Sequence, residues 1–264
     1  MNKKMKTIWR IIIISIIAGI VLSVLGFILG AGRTLYLDRA GFHVSGGEST
    51  QISEHNLPSF RYISIDGGIG DVELVQSDNY GIDINSHETE WFYNIENETL
   101  VISHTRNQRV QIMNFDFLSA ERNYARVYIP ADAILETVAI QTSSGYINAG
   151  NFQAKSVEVN SSTGRVQLYN LVGDNLKVST TSGDIRLSGE FLGVSSINTR
   201  SGDVRLTTSG IRHDYSLDIS TRTGSINIDG ERVRNETTVI NNPILPNHIR
   251  IATTSGNINL GFVG

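Results

Sequence analysis

Asp184 and Asp203 stand 19 positions apart, and each is followed two residues later by an arginine, Arg186 and Arg205. Arg200 and Arg222 add two more cations at matching places in the strings T-R-S-G and T-R-T-G. Carboxylate and guanidinium groups recurring at a fixed interval support two kinds of chemistry. One is a surface platform on which arginine forks hold an anionic polymer. The other is a solvated ladder of ion pairs contributing about 0–1 kcal/mol each.

Other chemistries find less support. The six histidines, His43, His55, His87, His104, His213 and His248, show no H-x-x-x-H spacing and read as surface residues, so no metal centre is expected. The chain has no cysteine, which excludes disulfides, thiolate ligands, thiol nucleophiles and a lipid-modified cysteine. Asp66-Gly67-Gly68-Ile69-Gly70-Asp71 occurs once and is not followed by helical periodicity, so it reads as an ordinary turn rather than a phosphate or calcium loop. No G-x-S-x-G nucleophile elbow is present, and nothing selects a carboxylate pair for glycoside hydrolysis. No catalytic residue and no cofactor are expected.

The segment Asn107–Ala125 interrupts the strand rhythm and carries Met113, Phe115, Phe117 and Leu118 beside Arg122 and Tyr124. An apolar loop of this kind either binds a partner or caps the open end of a repeat core.

The elements that must position these residues are repeats. Six copies of one string run T-S-S-G-Y-I-N-A (142–149), S-S-T-G-R-V-Q-L (161–168), T-T-S-G-D-I-R-L (180–187), T-R-S-G-D-V-R-L (199–206), T-R-T-G-S-I-N-I (221–228) and T-T-S-G-N-I-N-L (253–260). Their glycines are Gly145, Gly164, Gly183, Gly202, Gly224 and Gly256. A further alternating strand precedes most copies, as in Val157-Glu158-Val159. A unit this small cannot bury its own apolar face, so neighbours must stack. The expected fold is all-β, a parallel β-solenoid with Ile147, Val166, Ile185, Val204, Ile226 and Ile258 forming one inward column. Ala149, Leu168, Leu187, Leu206, Ile228 and Leu260 form the next. Glycine at the corner allows a left-handed backbone, and the hydroxyl residues before it are placed to bond the turn. The same letters also fit β-hairpins with glycine bulges, which would give an antiparallel sandwich or prism. Asp71-Val72-Glu73-Leu74 resembles a degenerate first copy.

Ahead of the repeats, Ile11 to Gly30 is an uncharged apolar run long enough to cross about 30 Å of hydrocarbon as a helix. Lys3, Lys4, Lys6 and Arg10 precede it, which places the N-terminus in the cytoplasm and the remainder outside. A cleaved signal peptide is the rival reading; the length of the run favours an anchor. The expected organisation is a cytoplasmic stub (1–10), a transmembrane helix (11–30), a tether (31–57) and an extracellular β-repeat domain (58–264), irregular over 58–130 and regular over 131–264. Without the four basic residues before the anchor, 18 Lys+Arg oppose 26 Asp+Glu, so nucleic acid is not an expected partner.

Val127-Tyr128-Ile129-Pro130, then Leu135-Glu136-Thr137-Val138-Ala139-Ile140 and the serial S-G-x-[IV]-x-[LI] units, resemble a bacterial family of candidate adhesin domains of unknown function. The likeness runs from about Phe60 to the C-terminus. It implies a β-strand repeat architecture and an envelope location, similar to the anchored component of Gram-positive cell-envelope-stress systems, and no catalytic residues. The function expected is a non-enzymatic binding or scaffold module whose partner is an envelope polymer or a membrane signalling protein. The alternative is a carbohydrate-active β-solenoid enzyme.

Overall fold

A computed structural model describes residues 3–28, 34–38, 41–45, 49–87, 91–104, 110–114, 123–233, 238–241 and 245–264. In chain order the elements begin with α1 (Lys3–Ile28), β1 (Thr34–Asp38), β2 (Gly41–Ser45), β3 (Ser49–His55), β4 (Tyr62–Asp66) and β5 (Asp71–Ser77). There follow β6 (Gly81–His87), β7 (Trp91–Glu96), β8 (Thr99–His104), β9 (Val110–Asn114), β10 (Tyr124–Pro130) and β11 (Ile134–Ser144). The long strands are β12 (Ile147–Thr163), β13 (Val166–Ser182) and β14 (Ile185–Ser201). The chain ends with β15 (Val204–Thr208), β16 (Tyr215–Thr223), β17 (Ile226–Ile228), β18 (Glu231–Arg232), β19 (Thr238–Asn241), β20 (Asn247–Ser255) and β21 (Ile258–Phe262).

These elements fall into two units, Met1–Ser49 with Arg106–Glu121, and Thr50–Thr105 with Arg122–Gly264. In the smaller unit, β1 pairs antiparallel with β2 and with β9. Within the stretch 31–57, expected as a tether, residues 34–38 and 41–45 are paired strands: Leu35 and Leu37 alternate with Tyr36, a period that suits strand pairing. Among the described residues, no helix is long and apolar enough to cross a membrane; the unbroken run of described side chains in α1 covers only 12–22.

The larger unit is a parallel stack. β11, β12, β13 and β14 pair parallel in register along most of their lengths, so the antiparallel hairpin architecture is not what the repeats build. Each turn of β12 carries three short inward runs: Ile147 and Ala149, then Phe152 and Ala154, then Val157 and Val159. Sequence reading found the first and third. The middle run was hidden because Phe152, Leu171 and Phe191 occupy it with different sizes and its corner is marked by Asn151 and Asn170 in two turns. Both asparagines have φ near 50° and tolerate the left-handed region better than other non-glycine residues, and Asn170 Nδ2 donates to Asn151 Oδ1 at 2.8 Å.

Both inward aliphatic columns form, with rungs that do not follow chain order. Val72 of β5 lies beneath Ile147, so the degenerate copy is a true first rung. Above it come Val166, Ile185 and Val204, after which Ile258 pairs with Val204 and Ile226 pairs with Ile258. The final repeat thus sits between the fourth and fifth. After β15 the chain makes a 3-10 turn (Arg212–Asp214) and places β16 one rung too far, leaving a slot whose two parallel edges β20 fills, between β14 and β16. The lengthened spacings after Gly202 are this detour. Antiparallel strands flank the stack, β6 on β10, β7 on β8, β18 on β17 and β19 on β16.

The corner glycines are held by more than their dihedrals. Gly183 has φ 156°, and a Cβ built on it would lie 1.9 Å from the carbonyl oxygen of Gly164 on the rung below. The same contact recurs from Gly145 to Gly256 at 1.9–2.2 Å. The first hydroxyl of each repeat points inward, and where it is bonded the bond runs between rungs: Thr221 Oγ1 donates to the Gly256 carbonyl at 3.0 Å, and Thr142 Oγ1 donates to Ser161 Oγ at 3.2 Å, while Thr180 Oγ1 is buried without a partner. The expectation of bonding within the turn is corrected accordingly.

Gly230 separates the two effects, because its φ is 82° while nothing lies within 4 Å of an added Cβ. Gly230→Ala should cost about 1 kcal/mol from the dihedral alone, and Gly183→Ala more than about 3 kcal/mol because a backbone oxygen must also move. Urea unfolding of the two variants followed by circular dichroism measures the difference.

Candidate functional site

Alternation in the run after each corner glycine sends the aliphatic residues inward and leaves every second side chain on one outward face. From β10 to β17 that face carries, rung by rung, Tyr124 and Arg126, Asp71 and Glu73, Tyr146 and Asn148, Arg165 and Gln167, Asp184 and Arg186, Asp203 and Arg205, Asn257 and Asn259, then Ser225 and Asn227. These side chains are exposed or half-buried.

The expected platform residues lie together here, but the pairing is different. Asp184 and Asp203 do not bond the arginines. Asp184 Oδ1 accepts the backbone N–H of Asp203 at 3.1 Å, and Asp203 Oδ1 accepts that of Asn257 at 2.7 Å. Asn257 Oδ1 in turn accepts the Ser225 N–H at 3.0 Å. A corner amide has no ladder partner, so a short acceptor on the neighbouring rung satisfies it, much as a helix N-cap does. Arg186 and Arg205 are direct rung neighbours. Arg200 and Arg222 flank Thr254 on either side. Among the described residues these four arginines are exposed and make no ion pair.

Ion-pair ladders do form, on the run that precedes the glycine. Lys155 Nζ donates to Glu136 at 2.9 Å, Lys177 Nζ to Glu158 at 2.8 Å, and Arg250 Nε to Asp218 at 3.0 Å. The hydrogen bond from Lys177, aided by Asn160, holds the Glu158 carboxyl below its ordinary value, and Lys155 does the same for Glu136. A shallow groove of about 300 Å³ opens here between Ser64, Asp66, Gln141, Glu158 and Asn160. Near it His104 is largely buried, with Nδ1 3.1 Å from the Asp66 carbonyl and its ring beside Trp91, so it is not the surface residue expected.

A second groove, also about 300 Å³, lies on the face after the glycine and is lined by Asp71, Glu73, Tyr146, Ile147, Asn148, Arg165 and Gln167. Sequence reasoning missed it. Asp71 Oδ1 accepts the Tyr146 N–H at 2.7 Å, which fixes the backbone under that ring. Glu73 is bound by Arg126 at 2.6 Å, and Arg126 also lies 3.8 Å from Asp83 and over the Tyr124 ring. The bond to Glu73 raises the Arg126 pKa further, while burial and then Asp83 raise that of the Tyr124 phenol. The available signal was that Tyr146 and Arg165 break the Asp/Asn/Ser character of the position after glycine.

Among the described residues no cluster of His, Asp and Glu could hold a metal ion. Met113 is in β9 of the smaller unit, paired with Leu35. Phe115, Phe117 and Leu118 lie outside the described residues.

Asp203→Ala should lose about 1 kcal/mol by leaving the Asn257 amide without its acceptor, whereas Asp203→Asn keeps an acceptor and should lose less; chemical denaturation ranks the two. Glu158 holds its proton less tightly folded than unfolded, so its contribution is complete above 4.5 and is lost as pH falls through the lower folded value. Lys177→Gln should move the Glu158 titration up toward 4.5, read from its carboxyl NMR shift. The exposed pair limits the stability change to less than about 1 kcal/mol.

No match was found among curated proteins. Among solved structures, a candidate cell adhesion protein from Clostridium sporogenes is 13% identical and aligns over 80% of this chain and 99% of its own, with a TM-score of 0.45. A candidate adhesin from Bacteroides fragilis is 13% identical over 81% of this chain and 97% of its own, with a TM-score of 0.46. The Toastrack DUF4097 profile matches residues 60–238, from Phe60 of the core through the fifth repeat. With most of the repeat unit under that profile, the chain belongs to the Toastrack DUF4097 family, whose function is not established.

Proposed function

We propose that this protein is a non-enzymatic, membrane-anchored extracytoplasmic module that binds an anionic envelope polymer. The observation that carries this reading is the set of exposed, unpaired arginines, Arg186 and Arg205 on adjacent rungs and Arg200 and Arg222 on either side of Thr254, while the neighbouring carboxylates are occupied by backbone amides. Guanidinium groups spaced one or two rungs apart, at about 4.8 Å per rung, suit a polymer with repeated phosphate or carboxylate groups. The arginines add charge locally to a chain of net charge −4, which opposes indiscriminate binding to polyanions such as nucleic acid.

Anchoring rests on the uncharged Ile11–Gly30 run and the basic residues before it. Such an arrangement would hold the repeats at the outer surface of a Gram-positive membrane, where polymer occupancy could be passed to a membrane signalling protein in an envelope-stress response. A hydrolase reading has weaker support. It needs a carboxylic acid kept protonated, whereas Lys155 and Lys177 hold Glu136 and Glu158 as anions, and Asp71 and Glu73 already accept hydrogen bonds.

The full chain in lipid nanodiscs should bind poly(glycerol phosphate), with affinity falling steeply as salt rises. Replacing Arg186, Arg200, Arg205 and Arg222 together by Gln should weaken binding at least about tenfold, since each lost charge-assisted contact is worth about 1 kcal/mol or more. Unchanged binding by the fourfold variant, measured by calorimetry, would remove the platform.

A further inference from the structure

The position after each corner glycine has one structural task over most of the stack. Asp71, Asp184, Asp203 and Asn257 each use that side chain to accept the backbone N–H of the next rung. Tyr146 and Arg165 give the task up, and they do so on adjacent rungs. Among the described residues neither side chain bonds a neighbouring amide, Arg165 makes no ion pair, and the Tyr146 ring stacks on no other ring while remaining 50% exposed. Two large side chains without internal partners thus replace two short acceptors where the groove lies.

The remaining lining is specific in kind. Asn148 and Gln167 are rung neighbours, each presenting an amide that both donates and accepts. Asp71 and Glu73 form the other wall, and Glu73 retains acceptor capacity beyond the bond from Arg126. The strands beneath are paired on both sides, so this is a sheet face and offers no edge for an added peptide strand. Recognition must come from side chains alone. An exposed phenol ring over rigid backbone, planar amides and a carboxylate for hydroxyl groups, and one free guanidinium together suit a compact, hydroxylated ring bearing a negative charge. The volume is at the bottom of the range for small-molecule sites, about 300–1,000 Å³.

We propose that the Tyr146 groove is a saccharide subsite for an acidic sugar unit: the ring stacks on Tyr146, the side chains of Asn148, Gln167 and Glu73 bond its hydroxyls, and Arg165 holds its carboxylate. This rests on the polymer-binding reading and names a ligand class for a second part of the same face.

The test uses the full chain in nanodiscs with two probes, tetragalacturonate and the neutral chitotetraose, and measures affinity by calorimetry. The wild type binds the acidic tetrasaccharide more tightly than the neutral one. Tyr146→Ala weakens tetragalacturonate binding at least about tenfold, Tyr146→Trp retains it, and Arg165→Gln abolishes the preference for acid over neutral sugar. In the fourfold arginine background Tyr146→Ala still weakens tetragalacturonate binding at least about tenfold. Both tyrosine variants change an exposed side chain, and unchanged unfolding midpoints confirm that a loss is not misfolding. Absence of tetragalacturonate binding, or equal binding by wild type and Tyr146→Ala, overturns the subsite. If poly(glycerol phosphate) binding and its dependence on the four arginines survive in that case, the platform stands without the groove. If the platform fails while tetragalacturonate binding still depends on Tyr146, the reverse holds.

Discussion

Each corner of the stack brings two glycine backbones into contact that leaves no room for a side chain, with a built Cβ falling 1.9–2.2 Å from the carbonyl oxygen of the rung below. That contact sets the register of everything else. A rung displaced by one residue would drive a Cβ into a backbone oxygen at the corner and turn both aliphatic columns outward. The penalty is therefore paired: a steric one at the corner and a hydrophobic one along the run, and together they favour a single alignment. The inward hydroxyls reinforce it, since Thr221 reaches the Gly256 carbonyl only when the two corners are level.

Once register is set, the outward side chains divide by what the corner still lacks. A corner amide faces a neighbour whose carbonyl is turned away, and a short acceptor at the position after glycine supplies the missing bond. This is why Asp184 and Asp203 are occupied and their arginine neighbours are not. Charge complementarity along the sequence would pair them; the carboxylates accept the corner amides instead, a charge-assisted hydrogen bond worth about 1 kcal/mol or more against about 0–1 for an exposed ion pair. Ion pairs form away from those corners, between Lys177 and Glu158 and between Lys155 and Glu136 on the run before the glycine, and between Arg126 and Glu73 at the first rungs.

Closing the stack follows the same logic. The parallel rungs are flanked by antiparallel strands, so that β7 covers β8 and β19 covers part of β16. Inserting the last repeat between the fourth and fifth requires only that its two edges match both neighbours. Repeats with the same inward residues and the same corner satisfy that in either order.

Alternation within each run and the recurrence of glycine determined, from sequence alone, which residues face inward and that repeats stack: Ile147, Val166, Ile185, Val204, Ile226 and Ile258 are all in one buried column. Both signals are local, since side-chain direction has period two and glycine marks the corner wherever it stands. The order of rungs was not legible, because Val204 meets Ile258 through a contact 54 residues apart that near-identical repeats cannot encode. Nor was the division of the outward face into capping acids, unpaired arginines and the Tyr146 groove. Those depend on which rung lies alongside and whether its amide is already satisfied, and only the tertiary structure decides that.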